Sequence, residues 1–274
     1  MREKAVVIKP GSSLSFLNIR ELWQYRDLLY LLTRKEVLVR YKQTVLGPLY
    51  AIIQPFLSMI VFTLFFGKIA EIPNDNIPYP LFYYSALVPW TYFSWSFTLS
   101  ANSLTTNAAI LQKVYFPRII IPLVPCVARI VDFFIALAFV AVFMVYYSSY
   151  PGWQVIYLPL LLLIMFLCAT GAGLWLTSLN IKYRDVGFAV QFIAQFWMFA
   201  SPIVYPYSMV PDNYKLVYAL NPMTGIIEGF RSILVGDGNL DWILVGISAF
   251  ISVVLFCTGV MYFNSVERKF ADVA

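Results

Sequence analysis

The sequence predicts an all-α integral membrane protein with six transmembrane helices, an N-terminal amphipathic interfacial helix and a re-entrant helical hairpin before the sixth span. Hydrophobic residues make up 61% of the chain and charged residues only 12%, whereas a soluble domain carries charge on roughly a quarter of its residues. The 19 basic and 14 acidic residues also leave five long uncharged blocks, 43–67, 76–112, 133–181, 186–211 and 242–266. About 20 apolar residues form a helix that crosses a bilayer core, so these blocks predict the spans.

The uncharged blocks divide into six spans. The block 133–181 is too long for one helix, and the sequence SSYPG at 148–152 is a turn signal that splits it. Pro55 is expected to kink the first span, which neighbouring helices in a membrane bundle tolerate. We expect a transmembrane domain over 44–264 with spans at about 45–66, 81–99, 119–147, 155–179, 186–205 and 242–263.

The distribution of Lys and Arg predicts the orientation. Placing both termini in the cytoplasm puts 15 of the 19 basic residues on that side, nine of them before Val45. Only Lys68, Lys215 and Arg231 fall on the other side, and Arg129 lies within the third span. Because cytoplasmic loops carry the excess of basic residues, this asymmetry predicts cytoplasmic N and C termini, with a tail at 265–274.

The N-terminal region 1–43 contains an amphipathic helix, predicted over about 18–41, that is too charged to span the membrane. One face is apolar and carries Ile19, Leu22, Trp23, Leu29, Tyr30 and Val37; the other carries Arg20, Gln24, Asp27, Arg34 and Lys35. Such a helix lies along the membrane surface, with its basic face toward lipid headgroups or a protein partner. It is either a topological anchor or a docking surface for that partner.

The segment 207–236 between the fifth and sixth spans predicts a helical hairpin. Asn221 and Pro222 form a helix start, and Gly236 ends an apolar pattern of about 14 residues, which is too short to cross the membrane. A hairpin re-entering the outer leaflet would be a candidate periplasmic gate, formed by Asn221, Pro222, Glu228, Phe230 and Arg231. A modest apolar contact and a partly solvated Glu228–Arg231 pair would let the helix move at low cost. The alternative is a surface pair of helices that covers the bundle.

The sequence argues against an enzyme. It contains no histidine, no phosphate-binding GxxxxGK[ST] motif and no cluster of carboxylates within a span. The three cysteines, Cys126, Cys168 and Cys257, lie far apart, so we expect neither disulfides nor a metal site. If the chain uses energy, another polypeptide binds the ATP.

Arg129 and Asp132 are the ionisable residues within the third span, and they lie three residues apart on one helical face. An unpaired charge there would cost about 3 kcal/mol, and pairing offsets much of this cost. The pair is either a polar contact at the inner mouth of a translocation path or between subunits, or an intrahelical ion pair facing the bundle interior.

Two polar and aromatic surfaces are candidates for a conduit. Tyr83, Trp90, Phe93 and Phe97 fall on one stripe of the second span, and aromatic faces stack well on sugar rings. Gln191 and Gln195 form a polar stripe among aromatic residues of the fifth span, which lipid would disfavour, so that face is expected to look inward. The alternative for the aromatic residues is an anchoring belt at the membrane interface.

Several short motifs together resemble a known family. They are LQKVYFPR at 111–118, IPL at 121–123, VDF at 131–133, YKQTVLGPL at 41–49, QP at 54–55, KYRD at 182–185, SPIVY at 201–205, NP at 221–222 and FR at 230–231. In this order and spacing the chain resembles the type-2 ATP-binding-cassette permeases that export polysaccharides. Such permeases move lipid-linked O antigen, capsular polysaccharide or teichoic acid out of the bacterial cytoplasm.

The resemblance implies partners and a place in the cell. It implies a homodimer in the bacterial inner membrane that contacts membrane lipids and a lipid-linked glycan, not nucleic acid, and joins two copies of a separate ATPase that binds ATP and Mg. Residues expected to couple to that ATPase are Asn107, Leu111, Lys113, Tyr115, Arg34 and Lys35. Two other readings stay open: a type-2 exporter of a drug or other small amphiphile, and a membrane assembly subunit without a conduit.

Overall fold

The computed structural model describes residues 19–42, 47–74, 77–108, 116–183, 185–236 and 238–271. Within these ranges every regular element is a helix, as the sequence predicts. Four stretches are long and apolar enough to cross a membrane: Gly47–Ile69, Ile120–Tyr146, Trp153–Lys182 and Trp242–Glu267. They agree with the first, third, fourth and sixth predicted spans to within a few residues.

The N-terminal amphipathic helix is divided in two. Helix α1 (Ile19–Gln24) and helix α2 (Arg26–Lys42) are separated at Tyr25. Of the predicted apolar face, Trp23 and Tyr30 are exposed, and their contact with the membrane surface stays a prediction. The side chains that pack against the helical bundle are instead Leu22, Tyr25, Leu28, Leu29 and Leu32.

Each of the four apolar stretches contains one long helix. Helix α3 (Tyr50–Phe62) follows a 3₁₀ turn at Gly47–Leu49, runs through Pro55 and continues as a π-helix over Thr63–Ile69. Helix α5 (Ile120–Tyr146) ends at the predicted turn, where Ser148 has a φ of 54°. After a 3₁₀ turn at Trp153–Tyr157 comes α6 (Leu158–Lys182), and the last helix is α10 (Trp242–Ala271).

The second predicted span is the central helix of the bundle. Helix α4 (Tyr79–Thr106) is 28 residues long but too polar to count among the four apolar stretches. It packs against α3, α5, α6 and two further helices described below, so most of its residues are buried. Protein rather than lipid surrounds most of α4, and some of its polar side chains have partners there: Asn102 Oδ1 accepts from Asn180 Nδ2 at 3.1 Å, and the Ser103 hydroxyl donates to the Ser100 carbonyl at 2.6 Å.

The fifth predicted span is helical over only part of its length. Helix α7 (Val186–Phe199) has 14 residues, equivalent to about 21 Å, and stops before Ser201 and Pro202. A residue that precedes proline is disfavoured in the helical conformation, which explains the end of the helix. The chain that follows is irregular and buried at 201–204.

Two short helices complete the fold before α10. Helix α8 (Asp212–Ala219) is largely exposed, whereas α9 (Pro222–Val235) packs against α4, α6 and α10. Of the fourteen residues of α9, all except Glu228 and Ser232 are buried. The alternative of two surface helices that merely cover the bundle therefore does not hold for α9.

Close packing of α6 and α10 depends on small residues. A Cβ atom added to Gly171 would lie 2.6 Å from the backbone nitrogen of Phe256, and one added to Gly259 would lie 2.7 Å from the carbonyl oxygen of Gly171. The two backbones therefore touch, and larger side chains at these positions would force them apart. Helix α6 also packs closely against α4.

Candidate functional site

The aromatic stripe predicted on the second span lies in the core. Tyr83, Phe93 and Phe97 are fully buried in α4, and Trp90 is 5% exposed. Phe93 and Phe97 pack against Trp197 of α7, with ring centroids 4.9 and 6.0 Å away. This placement gives no support to the prediction that these rings line a conduit. Most of α4 is buried, so the density of aromatic residues there is accounted for by core packing, and a conduit role for these rings stays a prediction.

The predicted polar stripe on the fifth span lies on the outside of the protomer. Gln191 and Gln195 are exposed on α7, and Phe188, Phe192 and Phe196 beside them are 74–78% exposed. In the single chain this face does not look toward the helical bundle, and the expectation that Gln191 and Gln195 line a conduit stays a prediction. Side-chain amides find no hydrogen-bond partner among lipid tails, so this face needs a partner other than hydrocarbon.

The predicted pair of Arg129 and Asp132 belongs to a larger group, the Asp132 cluster, which consists of Arg40, Tyr41, Arg129 and Asp132. Arg129 Nη1 donates to Asp132 Oδ2 at 2.8 Å, and Arg40 Nη1 donates to the same oxygen at 2.6 Å. The hydroxyl of Tyr41 donates to the other oxygen, Oδ1. One carboxylate on α5 thus receives hydrogen bonds from its own helix and from the end of α2.

The α2 side of the Asp132 cluster is reinforced by further charges. Glu36 lies one turn before Arg40, and its Oε1 is 3.4 Å from Arg40 Nη2. Burial, followed by the hydrogen bond to Asp132, raises the pKa of the Tyr41 phenol. Tyr41 therefore remains a protonated donor at physiological pH. Arg40 and Tyr41 escape sequence reasoning because they lie 92 and 91 positions from Asp132; Tyr41 does open the motif at 41–49.

The Asp132 cluster forms one wall of a pocket between α3, α4 and α5. The pocket is a shallow one that is partly open to the surroundings, with space for water of about 20 Å³, and its lining includes Tyr50, Gln54 and Trp95. The Arg129 guanidinium lies over the Trp95 ring at 4.8 Å, and Trp95 Nε1 donates to Gln54 Oε1 at 2.8 Å. The cluster consequently connects to four helices: α2, α3, α4 and α5.

A second group of polar residues, the Arg231 cluster, consists of Asn221, Glu228 and Arg231 and seals the end of α7. Arg231 is 2% exposed, and its Nη1 donates to Glu228 Oε1 at 2.6 Å. Its Nη2 donates to the carbonyl oxygens of Pro202 and Ile203 at 2.7 and 3.4 Å. Because α7 ends at Phe199, these two carbonyls have no partner within a helix. A buried carbonyl needs a hydrogen-bond donor, and Arg231 supplies it.

Asn221 completes the same seal. Its Nδ2 donates to the carbonyl oxygen of Ala200 and to Ser201 Oγ, both at 2.9 Å. Its Oδ1 accepts from Trp197 Nε1 at 2.9 Å and from the backbone nitrogen of Met223 at 3.1 Å, which caps α9. One side chain therefore joins the end of α7 to the start of α9.

This geometry corrects the expectation that the gate helix can be displaced at low cost. The Glu228–Arg231 pair predicted from the sequence is present, but Arg231 is buried and its guanidinium lies 3.9 Å from the centre of the Phe82 ring of α4. Phe230 is also buried, against Phe133 of α5. Moving α9 would separate the buried Arg231 guanidinium from its partners and leave the Pro202 and Ile203 carbonyls without a hydrogen-bond donor, which is costly.

Residues 27–235, from the start of α2 to the end of α9, match the family described as ABC-2 type transporter. This chain belongs to the ABC-2 transporter family. The family is one of membrane permeases that associate with an ABC ATPase subunit, which agrees with the absence of a phosphate-binding motif in this sequence.

Three curated relatives of this ABC-2 permease align over most of their length. It is 31% identical over 257 residues to the "O-antigen export system permease protein RfbA" of Myxococcus xanthus, covering 93% of this chain and 98% of the relative. It is 28% identical over 248 residues to the protein of the same name from Klebsiella pneumoniae, covering 90% and 95%. It is 22% identical over 243 residues to the "Polysialic acid transport protein KpsM" of Escherichia coli, covering 85% and 91%.

The residues predicted to couple this permease to its ATPase are only partly described. Arg34 and Lys35 are exposed on α2, so they are free to meet a partner. Asn107 lies at the end of α4, where its Nδ2 donates to the Ser103 carbonyl at 2.9 Å. Leu111, Lys113 and Tyr115 lie outside the described residues, and their coupling role stays a prediction.

Proposed function

We propose that this chain is the transmembrane subunit of an ATP-driven exporter that moves a lipid-linked polysaccharide from the cytoplasmic to the outer side of the bacterial inner membrane. Three relatives that match along nearly their whole length are named as O-antigen and polysialic acid transport proteins. Likeness of this extent supports a common kind of cargo.

The proposed permease crosses the membrane six times, with both termini in the cytoplasm. The four apolar stretches supply four crossings, and α4 is about 42 Å long, which exceeds the bilayer core. Helix α7 is too short alone, so the irregular segment 200–206 completes its crossing. Helices α8 and α9 would form a re-entrant hairpin, in which α9 has the burial that backbone at membrane depth requires.

The proposed assembly contains two copies of this chain and two copies of an ABC ATPase. ATP and Mg would be bound by the ATPase subunits, and the exposed basic residues Arg34 and Lys35 of α2 would face them on the cytoplasmic side. The orientation rests on the excess of Lys and Arg in the segments assigned to the cytoplasm.

The observation that carries the proposal is the exposed face of α7. Phe188, Phe192 and Phe196 alternate with Gln191 and Gln195 on a surface that is left exposed by the described residues of the protomer. Rings stack on sugar faces and amides exchange hydrogen bonds with hydroxyl groups, so this combination suits a carbohydrate chain. In the assembly we assign this face to the conduit between the two copies.

The experiment measures export by the complex of this chain with its ATPase. The complex is reconstituted in proteoliposomes with a lipid-linked polysaccharide, and the glycan that reaches the far side is quantified with a membrane-impermeant glycosidase. Wild-type complex should deliver glycan only with ATP. Phe192→Ala should slow export about fivefold, because one stacking contact is worth roughly 1 kcal/mol.

The matched control is Phe250→Ala on α10. Phe250 is 69% exposed and Phe192 is 74% exposed, so both variants remove the same ring from an exposed helix surface. Equal rates for the two variants would contradict the assignment of the α7 face to the conduit. Export of small amphiphiles with no delivery of glycan would overturn the polysaccharide function itself.

A further inference from the structure

The Asp132 cluster lies where the interfacial helix leads into the first apolar helix. Arg40 and Tyr41 are in the last turn of α2, which ends at Lys42, and the turn that precedes α3 begins at Gly47. Their partner, Asp132, lies on α5. The contact therefore joins residues that are far apart in sequence, and it lies close to the junction between α2 and α3.

Two kinds of contact hold α2 against the bundle. Leu28, Leu29 and Leu32 pack against an apolar cluster that includes Ile120 and Phe263. Apolar contact has no preferred direction, so it permits α2 to slide or rotate on the bundle. The hydrogen bonds to Asp132 are directional and assisted by charge, and they define one register of α2 on α5.

The same carboxylate is linked to the centre of the bundle. Arg129 shares Asp132 Oδ2 with Arg40 and covers the Trp95 ring of α4, and Trp95 donates to Gln54 of α3. A shift of the end of α2 would therefore strain contacts on three other helices.

We propose that Asp132 is a positioning residue that locks α2 to α5, so that a displacement of α2 is carried into α5 and the start of α3. The lock follows from the geometry of the cluster alone. Its use in export rests on the proposed function, in which an ATPase moves α2 during its cycle. Arg40 and Tyr41 form the α2 half of the lock, and Arg129 orients the carboxylate on the α5 half.

The first experiment tests the lock without reference to export. Spin labels are placed at two exposed positions, Leu31 on α2 and Val145 on α5, of the full chain in lipid nanodiscs, and the distance distribution between them is measured. The unmodified cluster should give one narrow distribution. Asp132→Asn, which keeps the side-chain shape but removes the charge, should broaden it, and Arg40→Gln should do the same while leaving the Arg129–Asp132 pair intact.

Two variants control for general damage. Asp132→Glu keeps the carboxylate and should restore much of the narrow distribution. Asp27→Asn makes the same chemical change at an exposed position of α2 and should leave the distribution unchanged. An unchanged distribution in both Asp132→Asn and Arg40→Gln would overturn the lock.

The second experiment tests transmission in the complex with the ATPase. Arg40→Gln should leave ATP hydrolysis near the wild-type rate and lower glycan exported per ATP hydrolysed about tenfold, since α2 would move without carrying α5. A broadened distribution with unchanged export per ATP would overturn the transmission role. Failure of the wild-type complex to export glycan would count against the proposed function, while the spin-label distances would still decide the lock.

Discussion

The Asp132 cluster and the Arg231 cluster each contain an Arg and a carboxylate three residues apart on one helix. The first cluster joins that helix to α2, whereas the second binds the backbone that follows α7. Arg129 and Asp132 pair on α5, and Glu228 and Arg231 pair on α9. Their contacts with α4, at Trp95 and Phe82, are 13 residues apart, about 20 Å along that helix. The two pairs therefore belong to different levels of the bundle.

The difference lies in the third partner. Asp132 receives Arg40 and Tyr41 from α2, so its pair is joined to an interfacial helix and borders an open pocket. Arg231 instead donates to the carbonyls of Pro202 and Ile203 and is sealed in the core. A paired charge within a helix thus says little about its role until the group that completes its hydrogen bonds is known.

The largest effect is expected from Arg231→Met. The change leaves the Pro202 and Ile203 carbonyls without the Arg231 donor and leaves Glu228 without its ion-pair partner, so it should destabilise the protein by about 3–5 kcal/mol and impair membrane assembly. Thermal unfolding in detergent, followed by size exclusion, measures this loss. Lys215→Met is the control: the Lys215 side chain on α8 is 38% exposed and pairs with the exposed Asp212, so this variant should unfold close to the wild-type temperature. Wild-type stability of Arg231→Met would mean that the seal is not needed.

An intermediate effect is expected for the contact between α2 and α5. A double-mutant cycle of Arg40→Gln and Asp132→Asn should give a coupling of about 1–3 kcal/mol, because both side chains are mostly buried. The exposed pair of Arg26 and Asp27 on the same helix, changed to Gln and Asn, should give no measurable coupling. Equal coupling in the two cycles would remove the distinction between the lock and an ordinary surface pair.

The smallest effect compares one hydrogen bond from each cluster. Tyr41→Phe removes one donor to Asp132, and Trp197→Phe removes one donor to Asn221, so each should lower stability by about 1 kcal/mol. Only Tyr41→Phe should also reduce export per ATP hydrolysed, because only that bond reaches α2. A loss of coupling with Trp197→Phe, measured in the same proteoliposome assay, would contradict the division of roles.

The sequence predicted correctly those helices whose formation depends only on the hydropathy of their own residues. Helices α3, α5, α6 and α10 follow the uncharged blocks because each is apolar over the length that a bilayer requires. The buried helix α4 was located, but the sequence could not show that its aromatic stripe lies in the core, since the density of Tyr, Trp and Phe is the same for a core face and for a conduit wall. The end of α7 at Phe199 was missed, although Pro202 and Pro206 were a visible signal.

The sequence by itself determined the membrane class, the four apolar helices, the pairing of residues three apart and the family, because all of these depend on composition, spacing and motif order along the chain. Only the tertiary structure decided that Asp132 meets Arg40 and Tyr41, that Arg231 and Asn221 close the broken end of α7, and that the amide and aromatic face of α7 is exposed. These outcomes depend on which helices become neighbours, and that is set by the packing of the whole bundle around α4.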